Sequence, residues 1–188
     1  MSSRRQEDFE RLFAMSYEPL LAYAVRRCTS GEDAADVVAD TFAVAWRRLD
    51  QVPEGEQGRY WLYATARRVL ANQRRSLRRR TALHERLVDE ATRVFAASTP
   101  LEDSGVPGMA AALRQMGDAD RELLLLTAWE GLTPTQLGAV VGCSPATARV
   151  RLHRARSRLR RYLDEEASHD AADDRLPARG VQRSGGSS

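Results

Sequence analysis

The stretch TPTQLGAVVGCSPATARVRLHRARSRLRRYL, residues 133–163, decides the fold of this 188-residue chain. Thr133 and Gln136 have the spacing of a capping box, and a proline follows Thr133 at the first helical position. Gly142 is typical of a helix stop, and Ser144, which a second proline follows, is typical of a new N-cap. The pattern predicts two helices joined by a turn of about three residues, which is a helix-turn-helix.

The second of these helices has two faces of different character. At about 100° per residue, one stripe is apolar and holds Ala148, Leu152, Ala155 and Leu159. The opposite side centres on Arg149, Val150, His153, Arg154 and Ser157. One apolar stripe among arginines favours a helix that enters the major groove, where guanidinium groups bind guanine edges and phosphates. The alternative is the solvated basic face of an ordinary bundle helix.

The basic residues are concentrated in two places. All 29 of them are arginine, and fourteen lie in two windows without acids, residues 67–80 and 149–161. A solubilising surface usually mixes the two signs of charge, so these patches predict contact with nucleic acid at two places. Hydrophobic residues make up 43% of the chain, which is enough for a packed core.

Several classes of protein do not fit the composition. Cys28 and Cys143 lie far apart in the sequence and form no metal-binding pattern with the histidines, so we expect neither a disulfide nor a metal site. No apolar run approaches the ~18 residues of a membrane span, and the charged N-terminus lacks a signal-peptide core. We found no phosphate-cradling glycine loop and no nucleophile–base pair. We therefore expect a cytoplasmic, non-enzymatic protein without a cofactor.

The rest of the chain is helical by its apolar periodicity. We expect helices over residues 5–27, with a kink or break at Pro19, and over residues 32–49, then a loop over 51–59 and a basic third helix from Tyr60. A second helical unit starts near Met109. Within that unit, Asp118 is the expected N-cap of a helix over Ala119–Glu130, and Gly131 its stop.

The chain is predicted to be all-α, with two small helical domains joined by a flexible linker. The expected boundaries are 5–82 for the first domain, 83–107 for the linker, 108–165 for the second domain and 166–188 for a disordered tail. Trp46 and Trp129 are expected in the cores. Trp61, at the start of the basic third helix, is assigned with equal weight to core packing or to stacking on an unpaired base.

Three segments of the chain resemble a known family. GEDAADVVADTFAVAWRRL and WLYATARRVLANQRR, residues 31–49 and 61–75, are similar to two conserved segments of extracytoplasmic-function (ECF) sigma factors of the sigma-70 family. DRELLLLTAWEGLTPTQLGAVVGCSPATARVRLHRARSRLR, residues 120–160, is similar to their C-terminal domain. Such proteins are promoter-recognition subunits of bacterial RNA polymerase. The resemblance covers about residues 6–163, that is, both domains and the linker.

The resemblance implies roles for particular residues. The segment that docks on the β′ clamp helices of the polymerase corresponds to Asp36, Val37, Asp40 and Phe42. The segment that melts and reads the −10 element corresponds to Trp61, Arg67, Asn72, Arg74 and Arg75. The positions that read the −35 element correspond to Arg149, Val150, His153 and Arg154. Phosphate contacts are expected from Thr133, Thr147 and Arg151. The −35 positions coincide with the polar face found from helical geometry.

The chain departs from the family pattern at three of its positions. Ala39 stands where the family usually has Gln, Arg68 where many members have Asn, and Asn72 where many have Asp. The partners implied are core RNA polymerase, through the β′ clamp helices and the β flap, and promoter DNA. The family often also has an anti-sigma factor that occludes these surfaces.

Two other functions fit part of the sequence pattern. A helix-turn-helix regulator that binds operators as a dimer would use the same C-terminal unit, but it needs no second arginine track. A nucleic-acid enzyme would share the basic patches and would need catalytic side chains as well. For the acidic segment DEEASHDAADD, which starts at Asp164, a solvated end is favoured over a segment that folds back on the arginine face.

Overall fold

The structure, a computed structural model, describes residues 2–85, 106 and 108–173. In these residues there are α-helices and one short 3-10 turn, Leu49–Gln51, and no strand. The helices are α1 Ser2–Val25, α2 Gly31–Arg47, α3 Glu56–Glu85, α4 Met109–Gln115, α5 Asp118–Ala128, α6 Pro134–Val141 and α7 Pro145–Asp173. The all-α prediction is confirmed.

Helices α1 to α3 form the first domain. Helix α1 runs through Pro19 without ending there, so the alternative of a break is wrong. The expected restart after α1 is present, because the Ser30 hydroxyl accepts a hydrogen bond from the backbone N–H of Asp33 and so caps α2. Helix α2 packs its apolar face, which includes Ala34, Val38 and other core residues, against α1 and α3.

Helix α3 is longer than predicted at both ends. It begins at Glu56, directly after the left-handed Gly55, so the loop is shorter than the expected 51–59. At its other end it reaches Glu85, three residues past the expected domain boundary at 82. The remainder of the predicted linker, residues 86–105 and 107, lies outside the described residues.

Helices α4 to α7 form the second domain. Gly117 is the N-cap of α5, so Asp118 is its first helical residue and not the predicted cap. The Asp118 carboxylate still lies in the first turn, where it interacts favourably with the helix dipole. Helix α5 ends at Ala128, and Gly131 adopts the left-handed conformation (φ 66°) that leads the chain into α6.

Helix α7 extends into the segment predicted to be disordered. It continues to Asp173, so the expectation of a disordered tail from residue 166 is wrong for residues 166–173. Two side-chain contacts accompany the extension: Arg161 pairs with Glu165 four residues on, and Glu166 accepts a 2.6 Å hydrogen bond from Gln115 of α4. As far as it is described, the tail continues α7 and does not turn back on its arginine face. Residues 174–188 lie outside the described part.

Two tryptophans predicted to be in the cores are at the surface. Trp46 is 42% exposed and Trp129 is 51% exposed. Each carries a guanidinium over its ring, from Arg5 at 5.5 Å and from Arg26 at 5.4 Å respectively. A large ring can thus be covered on one face by an arginine instead of by a core.

The two domains pack against each other. Helix α6 lies on α3, and the buried residues of both domains form one continuous apolar cluster. The resulting interface is formed by the end of α1 and the first half of α3 on one side, and by α5, the turn after it and the start of α6 on the other.

Candidate nucleic-acid interface

The helix-turn-helix is built by the caps that the sequence predicts. The Thr133 hydroxyl accepts from the Gln136 backbone N–H, and the Gln136 side chain accepts from the Thr133 backbone N–H at 2.8 Å. Gly142 ends α6 in the left-handed conformation, with φ 76°. The Ser144 hydroxyl accepts from the backbone N–H of Thr147 and so starts α7. These caps fix the angle at which α7 leaves the turn.

The division of α7 into two faces is confirmed. Its apolar stripe is buried against α5 and α6: Ala148 is 0% exposed, Leu152 4% and Ala155 0%. The residues expected to read the −35 element all lie on the exposed side: Arg149, Val150, His153 and Arg154. Val150 is 51% exposed, so its branched apolar side chain is accessible to an apolar group such as a thymine methyl.

The three expected phosphate contacts lie near this face. Thr133 and Arg151 are exposed, and Thr147 is half-buried. Thr133 uses its hydroxyl in the cap of α6, and Thr147 shares a hydrogen bond with the Ser144 hydroxyl. These residues surround the N-termini of α6 and α7, where free backbone N–H groups favour an anion such as phosphate.

The second basic window lies on the latter half of α3. Asn72 and Arg75 are exposed and are joined by a 2.6 Å hydrogen bond from the Arg75 guanidinium to the Asn72 amide oxygen. Arg67 is half-exposed, and Arg74 donates to the carbonyl oxygen of Arg27 at the end of α1. Trp61 is half-buried and packs against the core, which agrees with the packing alternative, while its role in base stacking stays a prediction.

The expected polymerase-docking residues divide into surface and core. Asp36 and Asp40 are exposed on α2. Val37 is 0% and Phe42 5% exposed, so both lie inside the first domain and do not present side chains for direct contact. Phe42 packs against the ring of Phe13 on α1. The exposed part of the predicted docking segment is therefore acidic, and its two apolar members lie beneath that surface.

An ion cluster at the domain interface was missed by the sequence analysis. Arg27, just after α1, donates to Glu122 of α5 at 2.8 Å and to Glu130, just after α5, at 3.1 Å. Arg26 also donates to Glu130, at 2.9 Å, and the Tyr23 hydroxyl donates to Glu122. We call these five residues the interdomain cluster. No local pattern could reveal it, because its partners are about 95 to 104 residues apart in the sequence.

Charges inside the interdomain cluster shift the ionisation of its members. Burial alone lowers the pKa of Arg27, but the negative charge of Glu122 and Glu130 outweighs it and the pKa is raised overall. Burial and the Glu122 carboxylate both raise the pKa of Tyr23. At neutral pH, Arg27 is therefore charged and Tyr23 is neutral.

None of the helices formed by the described residues is long and apolar enough to cross a membrane. Among the same residues, no group of three or more His, Cys, Asp or Glu side chains is placed to hold a metal ion.

The sequence matches two models of conserved regions of one protein family. Residues 12–80 match Sigma-70 region 2, and residues 109–159 match Sigma-70 region 4. The first range lies within the part of the chain that forms α1 to α3, and the second within the part that forms α4 to α7.

Proteins of known role are similar over most of the chain. RNA polymerase sigma factor CarQ of Myxococcus xanthus is 31% identical over 160 residues, which cover 85% of this chain and 91% of that protein. RNA polymerase sigma factor CnrH of Cupriavidus metallidurans is 31% identical over an alignment that covers 88% of this chain and 92% of CnrH. The ECF RNA polymerase sigma factor SigL of Mycobacterium tuberculosis is 28% identical over an alignment that covers 78% of this chain and 83% of SigL.

Solved structures agree with these relatives. The sigma factor RpoE of Bartonella quintana, in complex with the anti-sigma factor NepR, superposes with a TM-score of 0.63 at 25% identity and covers 84% of this chain and 98% of its own. CnrH in complex with the cytosolic domain of CnrY superposes with a TM-score of 0.58 at 27% identity. The match covers 86% of this chain and 90% of the CnrH chain. The chain belongs to the sigma-70 family and is an ECF-type sigma factor, a subunit that binds core RNA polymerase and directs it to promoter DNA to initiate transcription.

Proposed function

We propose that the two domains divide promoter recognition between them. The first, over residues 5–82, binds the β′ clamp helices and opens the −10 element. The second, over residues 108–165, binds the β flap and reads the −35 element, and residues 83–107 connect them. The observation that carries the proposal is the exposed arginine face of α7, held outward by a buried stripe on the opposite side.

Recognition of the −35 element rests on α7 lying in the major groove. Arg149 and Arg154 are exposed and project from the same face, which suits bidentate contact with the O6 and N7 atoms of guanine. His153 and Val150 complete the reading surface between them. Thr133, Thr147 and Arg151 hold the flanking phosphates, which set the register of the helix but do not read bases.

Recognition of the −10 element rests on α3. The hydrogen bond between Asn72 and Arg75 holds two polar side chains in a fixed relation on the exposed surface of the helix. Arg67 and Arg74 supply positive charge for the backbone of the separated strand. The half-buried Trp61 would stack on a base that leaves the helix, and trapping such a base favours melting.

Binding to the polymerase rests on the acidic surface of α2. Asp36 and Asp40 lie one helical turn apart and are both exposed, so they favour a basic partner surface. Val37 and Phe42 act from beneath by fixing α2 on the core of the first domain. A change in either residue would alter polymerase binding through the position of α2.

The cellular setting follows from the family. We infer that the chain works in the cytoplasm, where the polymerase is, and that it performs no chemistry itself because the polymerase forms the RNA. We also infer a cognate anti-sigma factor, since the sigma factors RpoE and CnrH have been solved with the anti-sigma factor NepR and the cytosolic domain of CnrY.

Run-off transcription tests the proposal. Core RNA polymerase with the purified chain is supplied with genomic fragments, and the start sites are mapped. We expect starts that share two sequence elements at fixed spacing, and none with core polymerase alone. Tight binding of the chain alone to operator DNA, with no effect on the polymerase, would instead favour a dimeric regulator.

A further inference from the structure

The exposed face of α7 is apolar at its centre. Val150 is 51% exposed, and Ala146, one helical turn earlier, is exposed as well. At about 100° per residue, Ala146 lies about 40° from Val150 around the helix axis, so both project from the same side. The buried Ala148 and Leu152 lie about 160° away from Val150 on the same count, so Val150 points directly away from the core. We call Ala146 and Val150 the apolar pair.

Arginines border the apolar pair on both sides. Arg149 precedes Val150 by one residue and Arg154 follows it by one turn, and both are exposed. An apolar protein surface placed on the pair would also cover these guanidinium groups, which is costly without partners for their charge. The major groove offers each guanidinium an acceptor, on a guanine edge or on a phosphate. The surroundings of the pair therefore favour the groove of a duplex as its occupant.

The hydroxyl groups nearest to the apolar pair are used within the chain. The Thr147 hydroxyl shares a hydrogen bond with that of Ser144, and the Ser157 hydroxyl donates to the carbonyl oxygen of His153. The side chains of the pair itself can neither donate nor accept a hydrogen bond. Over about 6 Å along the axis, at 1.5 Å per residue, α7 thus presents methyl groups to whatever faces it.

This surface suits one kind of base edge better than the others. In the major groove, thymine presents a C5-methyl group, whereas cytosine and adenine present amino groups that need an acceptor. A methyl group against the apolar pair gains from burial. An amino group there would lose its water and find no partner, which is unfavourable. The favoured chemistry is a pyrimidine with a methyl group on C5, carried by thymine and by 5-methylcytosine but not by uracil or cytosine.

We propose that the apolar pair makes α7 select a pyrimidine C5-methyl group within the −35 element. Part of the sequence specificity then comes from an apolar contact at Val150, between the hydrogen bonds of Arg149 and Arg154 to neighbouring base edges. Ala146, which the sequence pattern did not single out, extends the contact toward the N-terminus of α7. The inference rests on the proposed function, because it takes α7 as the helix that reads the −35 element.

Modified DNA tests the proposal with the complete protein. The full chain is assembled with core polymerase and bound to a promoter obtained from the run-off assay, in which each thymine of the −35 element is replaced in turn by deoxyuridine. This replacement removes only the methyl group. We expect a loss of affinity of about fourfold at one position, the factor that corresponds to one buried methyl group. At that position, 5-methylcytosine should bind more tightly than cytosine. Competition gel-shift assays at one salt concentration measure each ratio.

Variants of Val150 link the methyl effect to this side chain. In Val150→Ser, thymine and uracil should bind equally well, whereas Val150→Thr keeps one methyl group and should keep part of the difference. Val25→Ser is the matched control, because Val25 is a valine that is 41% exposed at the end of α1. The control should retain the full preference for thymine. Circular dichroism checks that each variant is as helical as the wild type.

The contrary outcomes are distinct. Equal affinity for thymine and uracil at every position of the −35 element would overturn the inference, and so would a preference that persists unchanged in Val150→Ser. Weaker association of Val150→Ser with core polymerase, with unchanged DNA binding, would assign Val150 to a protein contact instead. These results leave the proposed function standing. A chain that directs no initiation in the run-off assay would overturn the proposed function, and this inference with it, before any modified DNA is used.

Discussion

The backbone N–H of Cys143 donates to the carbonyl oxygen of Gly138 across 2.9 Å, which draws the turn of the helix-turn-helix tightly against α6. A Cβ atom at residue 138 would lie 2.6 Å from the Cys143 carbonyl oxygen. That atom belongs to the backbone and cannot swing away. A glycine at this position is therefore required by the close approach of the turn, although its own φ is that of an ordinary helix.

We expect Gly138→Ala to destabilise the chain by about 1–3 kcal/mol through this overlap. Chemical denaturation measures the loss. Gly31→Ala is the matched control, because a Cβ at Gly31 meets nothing within 4 Å and its φ is not positive. The control should change stability by less than about 0.5 kcal/mol. If the two variants were equally stable, the close approach would not constrain the turn.

The buried stripe of α7 gives a second prediction. Leu152 is 4% exposed and packs in the core of the second domain, so Leu152→Ala should cost about 2–5 kcal/mol of unfolding free energy. Ser157→Ala, on the exposed face of the same helix, should cost less than about 0.5 kcal/mol. Thermal melts followed by circular dichroism compare them. A small loss for Leu152→Ala would place the stripe outside the core.

The exposed face of α7 gives a third prediction. Arg149→Ala and Arg154→Ala should each weaken binding of the holoenzyme to a cognate −35 element by ~1–3 kcal/mol. Binding to DNA with a scrambled −35 element should change less, because only base contacts carry sequence information. Competition gel-shift assays at one salt concentration measure both. Equal losses on the two DNAs would assign these arginines to phosphates.

The acidic surface of α2 gives a fourth prediction. Asp36→Arg should weaken binding of core polymerase by charge repulsion, with a larger effect at low salt than at high salt. Glu10→Arg makes the same change of charge at an exposed position on α1 and is the control. Pull-down with core polymerase over a range of salt concentrations compares the two. Retention of Asp36→Arg at the level of the control would remove Asp36 from the docking surface.

The local features of the fold could be predicted because their signals are local. The capping box at Thr133 and the glycine stop at Gly142 each depend on residues within one turn of helix, and both are present as predicted. The two faces of α7 follow from its period alone. The end of α7 was misjudged because absence of an apolar period was taken as absence of helix, whereas alanine-rich and glutamate-rich sequence continues a helix by propensity.

The long-range features could not be predicted in this way. Arg27 and Glu130 form an ion pair across 103 positions, and each alone looks like an ordinary surface charge. Trp46 and Trp129 were placed in cores on hydrophobicity alone, but an arginine from elsewhere in the fold covers each ring. Which cation meets which ring depends on packing between elements, and one sequence carries no record of it.

The position of Trp129 gives the protein an optical reporter of its own. Its half-exposed indole belongs to the second domain, and the guanidinium over it, from Arg26, belongs to the first. When that cation leaves, the polarity around the ring changes, and with it the wavelength and intensity of the emitted light. Trp46 keeps its neighbours Phe9 and Arg5, which come from its own domain. Intrinsic fluorescence can therefore report any rearrangement at this contact between the domains, in the unlabelled protein and in real time.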